Sequence, residues 1–227
     1  MLTHAPWTIV PGLRHGFLDC RDSVAAPDWA LVLAAAGAPL PIRLPRQVHG
    51  ARVVTADAWR TAPDADGVVT NAPDQLAGIV TADCVPVLLV ARDRRVAAAV
   101  HAGWRGAAAG VLEAAVSHMR DTFDVPATAI EAVIGPAVGA CCYQVGAEVR
   151  DAFRARTGET TADAWQETSD RLRVDLRVAA RLLLAASSVT TVAILGPCTM
   201  CGSGYASYRR DGPGTGRQLS FVGWAAP

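Results

Sequence analysis

The chain has 227 residues, 51% of them hydrophobic, and its formal charges cancel at pH 7. That length suffices to bury one sizeable core and makes a single domain over 1–227 the expectation, while the balanced charge excludes the basic surface that nucleic acid or an anionic membrane would grip. The opening MLTHAPWTIVPGLRHGF has no basic segment followed by an apolar leader core, and the longest apolar stretch, ALVLAAAGAPLPI at 30–42, is too short to span a bilayer, so a cytoplasmic protein is expected, with its six cysteines as thiols.

In chain order, WTIV (7–10) reads as a strand, DWALVLAAAG (28–37) as a helix stopped by Gly37, and ARVVTA (51–56) as a strand. DGVVT (66–70), LAGIVT (76–81), VPVLLV (85–90) and RVAAAV (95–100) follow as short strands, apolar on both faces and therefore buried. Helices are predicted at 106–121, 146–156 and 174–187, with strands at EAVIGP (131–136) and TTVAILG (190–196). The polar stretch 154–171 reads as a surface excursion, and GPGTGRQLSFVGW as a glycine-rich loop leading into a last strand. The mixture predicts an α/β layered domain with its sheet buried between helices.

Chemistry concentrates at AAAVHAGWRGAAAG (97–110), where a run of small apolar residues stops at His101 and two glycines bracket Trp104 and Arg105. Residues 84–101 read as a hairpin turning at ARDRR (91–95). Pairing centred near Asp93 makes opposed residue numbers total roughly 185 to 187, which sets Cys84 beside His101 on one face, Cβ atoms about 5 Å apart. Such a pair suits two ligands of one tetrahedral zinc, and equally a thiolate–imidazole catalytic dyad. His49, in LPRQVHGARVV, would alone be read as a structural histidine. With Cys84 and His101 it completes a His-Cys-His set, three protein ligands with one position open, and Asp83 and Gln47 are the sequence-adjacent partners for the imidazoles.

RQVHG, TADCVPVLL, VHAGWRG, IGPAVGACCYQVG and CTMCGSGYASYRRDGPGTGRQLS, in this order between about 42 and 224, resemble the YfiH/laccase-domain family, also called the multicopper polyphenol oxidase or peptidoglycan editing factor family, which includes the purine nucleoside enzyme FAMIN. The resemblance implies an α-β-β-α sandwich and a zinc-dependent enzyme that cleaves adenosine, inosine and methylthioadenosine with phosphate and deaminates adenosine. It places the metal ligands on His49, Cys84 and His101. Two departures stand out: HGFLDCRDSVAAPDW replaces the family's longer glycine-rich segment, and GPAVGACCYQV carries Ala137 and Ala140 at changed positions.

For such a reaction Asp83 is the first candidate proton shuttle and Asp66 the second. Phosphate would be held by Arg105 and Arg46 and by backbone N–H groups around Gly103 at the helix start. Trp104 would stack on the base or simply pack; Gln47, Tyr208 and Arg209 are further candidates for the substrate pocket. Asp83 equally suits a turn cap, and Arg46 and Arg105 equally suit ion pairs. CTMC (198–201) has zinc or redox spacing without a second pair to complete a four-thiolate site, and adjacent Cys141 and Cys142 point to opposite sides if extended. His4, His15 and His118 read as structural. The rival readings are a metal-free hydrolase with Cys84 as nucleophile and His101 as base, acting in peptidoglycan-precursor editing, and a copper phenol oxidase. Five histidines in all are too few for multicopper coordination, so zinc is preferred to copper. The expected partners are purine nucleosides and phosphate, with the chain a monomer or weak homodimer.

Overall fold

Two β-sheets lie face to face, and each has helical cover on its outer side. The computed structural model describes residues 1–19, 28–56 and 59–226. The strands are β1 (Leu13–Phe17), β2 (Ile42–Arg43), β3 (Val53–Thr55), β4 (Gly67–Thr70), β5 (Gln75–Thr81), β6 (Val85–Ala91), β7 (Val96–Ala102), β8 (Glu131–Ile134), β9 (Gln144–Val145), β10 (Trp165–Glu167), β11 (Leu172–Val174), β12 (Thr191–Ile194) and β13 (Gln218–Trp224). The α-helices are α1 (Ala5–Thr8), α2 (Trp29–Ala35), α3 (Trp104–Ala109), α4 (Val111–Phe123), α5 (Ala147–Thr157), α6 (Leu176–Ala186) and α7 (Tyr208–Asp211). One sheet has the order β12-β8-β6-β7-β4-β3, the other β1-β13-β5-β2, and a small third sheet β10-β11-β9.

Side-chain alternation along β6 and β7 builds the layers. Val87, Leu89, Ala98 and Val100 point to one side and pack with Leu112, Met119, Ala180 and Leu183 of α4 and α6. Leu88, Val90, Ala97 and Ala99 point the other way and meet Ala77, Ile79, Val222 and Trp224 of the second sheet. The outer face of that sheet, with Leu76, Leu219 and Phe221, is covered by Leu33 of α2 and by Leu18 and Ala38. The result is the expected α-β-β-α sandwich. Each fully buried leucine or isoleucine at these contacts contributes roughly 1.5–3 kcal/mol of transfer free energy.

Register corrects one expectation and preserves its consequence. Pro86 stands opposite His101, and Val85 opposite Ala102, so Cys84 does not oppose His101 directly. The difference is two residues, which leaves a side chain on the same face of a sheet. Cys84, Pro86 and Leu88 therefore share the inter-sheet side with Ala97, Ala99 and His101, and the pair is diagonal rather than opposed.

Three further expectations change. WTIV contributes to helix α1, not a strand: Pro6 supplies a first-turn residue whose missing N–H costs nothing, and Trp7 is driven inside to hydrogen-bond Glu131 at 2.8 Å. The predicted helix 106–121 is two helices, broken at Gly110, whose φ of 94° is left-handed. Arg156 fills the break, donating to the carbonyls of Ala107 and Ala108 at the end of α3. The excursion 154–171 carries the end of α5 and the edge strand β10, which pairs with β11.

Candidate functional site

Three chain segments converge where β7 ends and β6 begins. His49 comes from the loop after β2, Cys84 from the turn before β6, and His101 from the end of β7. One ligand atom from each lies within 4.8 Å of the others, so the three residues can hold one metal ion. Gly103 is what leaves room for them. A Cβ at that position would stand 3.0 Å from Cys84 Sγ, 3.1 Å from His49 Cδ2 and 3.7 Å from His101 Cε1.

Asp66, completely buried, organises the set. Its Oδ1 meets His101 Nδ1 at 2.7 Å and accepts the His49 N–H at 2.9 Å. Its Oδ2 accepts from Gly50 N at 2.7 Å and Val48 N at 3.2 Å. Three consecutive backbone N–H groups thus close on one carboxylate, an anion-holding nest that His49 permits by taking a left-handed φ of 60°. The bond to Nδ1 fixes the His101 tautomer and leaves Nε2 as the ligand atom. Sequence reasoning proposed Asp83 and Gln47 for this supporting role and Asp66 as a proton shuttle. The structure corrects this, because every Asp66 oxygen is committed inside. The available signal was the Asp-Gly pair at the head of β4, which places a carboxylate beside the strand that carries His101.

The electrostatics follow from these contacts. Burial opposes charge on Cys84, yet hydrogen bonds from His101 and His49 bring its thiol down to about 6. Burial likewise opposes charge on His101, but Asp66 and Cys84 raise it to about 9. For Asp66, burial is outweighed by the bonds from His101 and Gly50, which hold the carboxyl below its ordinary range. Without metal the set is a thiolate–imidazolium pair backed by a carboxylate.

The ligand set opens into a pocket of about 490 Å³ whose wall includes Pro45, Gln47, Thr81, Asp83, Tyr143, Tyr208, Arg209 and Arg217. Gln47 spans to β5, its amide donating to Val80 O and accepting from Val80 N, both at 2.8 Å. Asp83 is buried at a left-handed φ of 85°. Its carboxylate accepts from Thr199 Oγ1 at 2.6 Å, Ser207 Oγ at 3.0 Å and Arg209 N at 2.8 Å. These bonds make it the tie that holds the start of α7 against the pocket. The Arg209 guanidinium lies 4.6 Å from the Tyr143 ring centre and donates to Gln144 O.

Three candidates, Arg46, Trp104 and Arg105, stand elsewhere. Arg46 is paired with Asp64 and is not among the pocket residues, because its neighbours Pro45 and Gln47 alternate away from it. Arg105 stacks on the ring of Trp104, 4.5 Å from its centre. Trp104 and Arg105 line a second hollow of about 610 Å³ that shares Tyr143 and Arg209 with the first. Arg217 was missed because its run GTGR read as a loop leading to a strand. The backbone N–H of His4 donates to His15 Nε2 at 2.9 Å, and His118 meets Thr55. Of the segment HGFLDCRDSVAAPDW, residues 20–27 lie outside the described residues. Among the described residues no helix is long and apolar enough to cross a membrane.

Comparison with known proteins shows the family and the fold. The chain is 42% identical over 178 residues to a purine nucleoside phosphorylase of Pseudomonas aeruginosa, covering 78% of this chain and 71% of that one. It is 38% identical over 179 residues to the purine nucleoside phosphorylase YfiH of Escherichia coli, covering 78% and 71%. Among solved structures, YlmD of Geobacillus stearothermophilus superposes with a TM-score of 0.84 at 28% identity, over 96% of this chain and 93% of that one. A Neisseria meningitidis protein gives a TM-score of 0.78 at 36% identity, over 86% and 79%. The sequence profile of the multi-copper polyphenol oxidoreductase laccase family matches residues 14–225, and the chain belongs to that family.

Proposed function

We propose that the pocket is the active site of a zinc-dependent purine nucleoside phosphorylase, taking adenosine, inosine or methylthioadenosine with phosphate, and that it also deaminates adenosine. The observation that carries this is the His49-Cys84-His101 set at the base of a pocket sized for a small molecule, in a chain similar to proteins named purine nucleoside phosphorylases. One thiolate and two imidazoles with a buried carboxylate behind one ring fit zinc. Only two of the five histidines reach the set, which does not suit several coppers. Lewis-acid polarisation is the chemistry that zinc supplies in such a site when bound.

The chain's own residues do the rest. Arg209 and Arg217 give the pocket two guanidinium groups, and these suit a phosphate held in line with C1′. Asp83 acts as a positioning residue, fixing the Arg209 backbone. Arg105 and Trp104 line the adjoining hollow, so phosphate and base contacts pass to Arg209, Arg217, Tyr208 and Tyr143. The low Cys84 thiol and high His101 imidazolium favour a second reading, a metal-free cysteine hydrolase.

Phosphate-dependent release of hypoxanthine from inosine, followed before and after chelation, separates the two. Loss of activity on chelation and recovery with zinc supports the phosphorylase. Full activity in metal-free protein without phosphate, abolished by Cys84→Ala, supports the hydrolase reading instead. Bound zinc with no turnover of any purine nucleoside refutes both and leaves a binding or editing role.

A further inference from the structure

Outside the pocket, a second group of ligand atoms converges. Cys141, Cys142, Cys198 and Cys201 each offer a sulfur within 4.8 Å of the others. None of them lines the pocket at His49, Cys84 and His101. Two expectations from the sequence fail here together. The missing second pair for CTMC is the adjacent pair Cys141 and Cys142, and that pair is not on a strand. Cys142 N and Tyr143 N both donate to Gly139 O at 2.9 Å, so residues 139–143 form a tight turn. A turn removes the alternation that would send neighbouring side chains to opposite sides.

We infer that these four cysteines form a second metal centre, a closed mononuclear zinc site with four thiolate ligands. Zinc–sulfur bonds of about 2.3 Å in a tetrahedron require sulfurs about 3.8 Å apart. Cys141 Sγ and Cys201 Sγ stand 3.7 Å apart. A disulfide would need a separation of about 2.05 Å. The small spread of the four sulfurs leaves space for one ion and not for an iron–sulfur cage. Four thiolates in tetrahedral order select zinc or iron among the common metals.

The surroundings are built for this. Gly139 N–H points at Cys198 Sγ, 3.3 Å away, the kind of outer hydrogen bond that steadies a metal thiolate. The CTMCG turn closes with Gly202 N donating to Cys198 O at 2.8 Å. Only glycine fits there, since a Cβ would sit 2.4 Å from that oxygen. Arg210 donates to the carbonyls of Thr199 and Met200, and Arg177 to that of Gly196. Both guanidinium groups are themselves ion-paired, Arg210 with Asp211 and Arg177 with Asp175, so they brace the turn through its carbonyls. The centre would carry two net negative charges once four thiols have released four protons to solvent.

A closed site of this kind holds chain segments together rather than reacting. It would join the turn before Tyr143 to the turn containing Thr199, which bonds Asp83 at 2.6 Å. The first segment ends in the wall of the pocket at Tyr143, and the second reaches that wall through the bond from Thr199 to Asp83.

The test uses the full chain, purified with reductant, loaded with excess zinc and desalted. Two zinc ions per chain are expected for the wild type, and one each for Cys84→Ser and Cys201→Ser. Cys84→Ser loaded with cobalt alone should show an intense thiolate-to-cobalt charge-transfer band and tetrahedral d–d bands, a readout that does not require Cys201→Ser to fold. The inference is overturned if Cys84→Ser binds neither zinc nor cobalt, or if intact mass shows Cys141 and Cys201 joined as a disulfide. Iron with sulfide at these residues would overturn it as well.

Discussion

Replacing Asp66 by asparagine tests the logic of the His-Cys-His set most directly, because the change keeps shape and removes charge. The carboxylate accepts four side-chain or backbone bonds, two on each oxygen. An amide has one oxygen and one NH₂, so one side must now present donors to donors. If the NH₂ faces Val48 and Gly50, two buried N–H groups lose their acceptor at about 1–3 kcal/mol each. If it faces His49 and His101, one N–H is orphaned, and His101 Nδ1 must become an acceptor. The second arrangement costs less, so we expect metal-free Asp66→Asn to lose about 1–3 kcal/mol of unfolding free energy. It also moves the His101 proton to Nε2, the ligand atom, so zinc affinity should fall toward 100-fold, the upper end for loss of a supporting carboxylate. Urea unfolding after chelation measures the first quantity, and competition with a chromogenic zinc chelator the second. An Asn variant that binds zinc within threefold of wild type would refute the role given to Asp66.

Gly103→Ala should leave the fold intact yet weaken zinc at the set by about tenfold or more, because its Cβ would crowd Cys84 Sγ at 3.0 Å and His49 Cδ2 at 3.1 Å; unchanged affinity in the same competition assay would count against the packing. Zinc loading at pH 7.5 should release about one proton from this set, since the Cys84 thiol near 6 is already ionised and the His101 imidazolium near 9 is not yet neutral. Calorimetry of Cys201→Ser in buffers of different ionisation heat counts that proton. Arg46→Ala should leave the KM for phosphate unchanged because the guanidinium pairs with Asp64, whereas Arg217→Ala should raise it at least tenfold. His15 is buried and its imidazole is pushed down to about 4 from 6.5, by burial first and by His4 second. A lowered histidine contributes stability that is complete above pH 6.5 and drains away as pH falls toward 4. Between pH 7.5 and 5 this amounts to about 2 kcal/mol. His15→Gln should flatten that part of the stability profile by the same amount in denaturant titrations.

The layered fold was readable because the strands around residues 66–100 are continuous apolar runs and the helices carry a clear apolar period. What failed were features set by tertiary packing or by single backbone angles. Trp7 is helical because the core and Glu131 accept its indole, which a local pattern cannot reveal. Gly110 broke a helix whose composition favours continuity. In the candidate site, His49, Cys84 and His101 were legible from residue type and hairpin parity, a criterion that survives an error of two in register. Asp66 was underrated because its role depends on three backbone N–H groups from another loop. The thiol group at 141–201 was missed because a turn, not a strand, presents Cys141 and Cys142.

The position of β13 has a consequence for how the molecule is made. This last strand lies inside its sheet, between β1 and β5, and Asp83 finds its partners at Thr199, Ser207 and Arg209. During synthesis the ligand set at 49–101 exists long before the residues that complete the second sheet or the pocket wall. Until residue 218 leaves the ribosome, the apolar inter-sheet side of β6 and β7 lacks the part of its cover that Val222 and Trp224 supply, and the wall that Tyr208, Arg209 and Arg217 give the pocket above Cys84 and His101 is incomplete. Metal capture can therefore precede substrate competence in the life of each chain, and changes near the C-terminus can retune what the pocket accepts without touching the ligands beneath it.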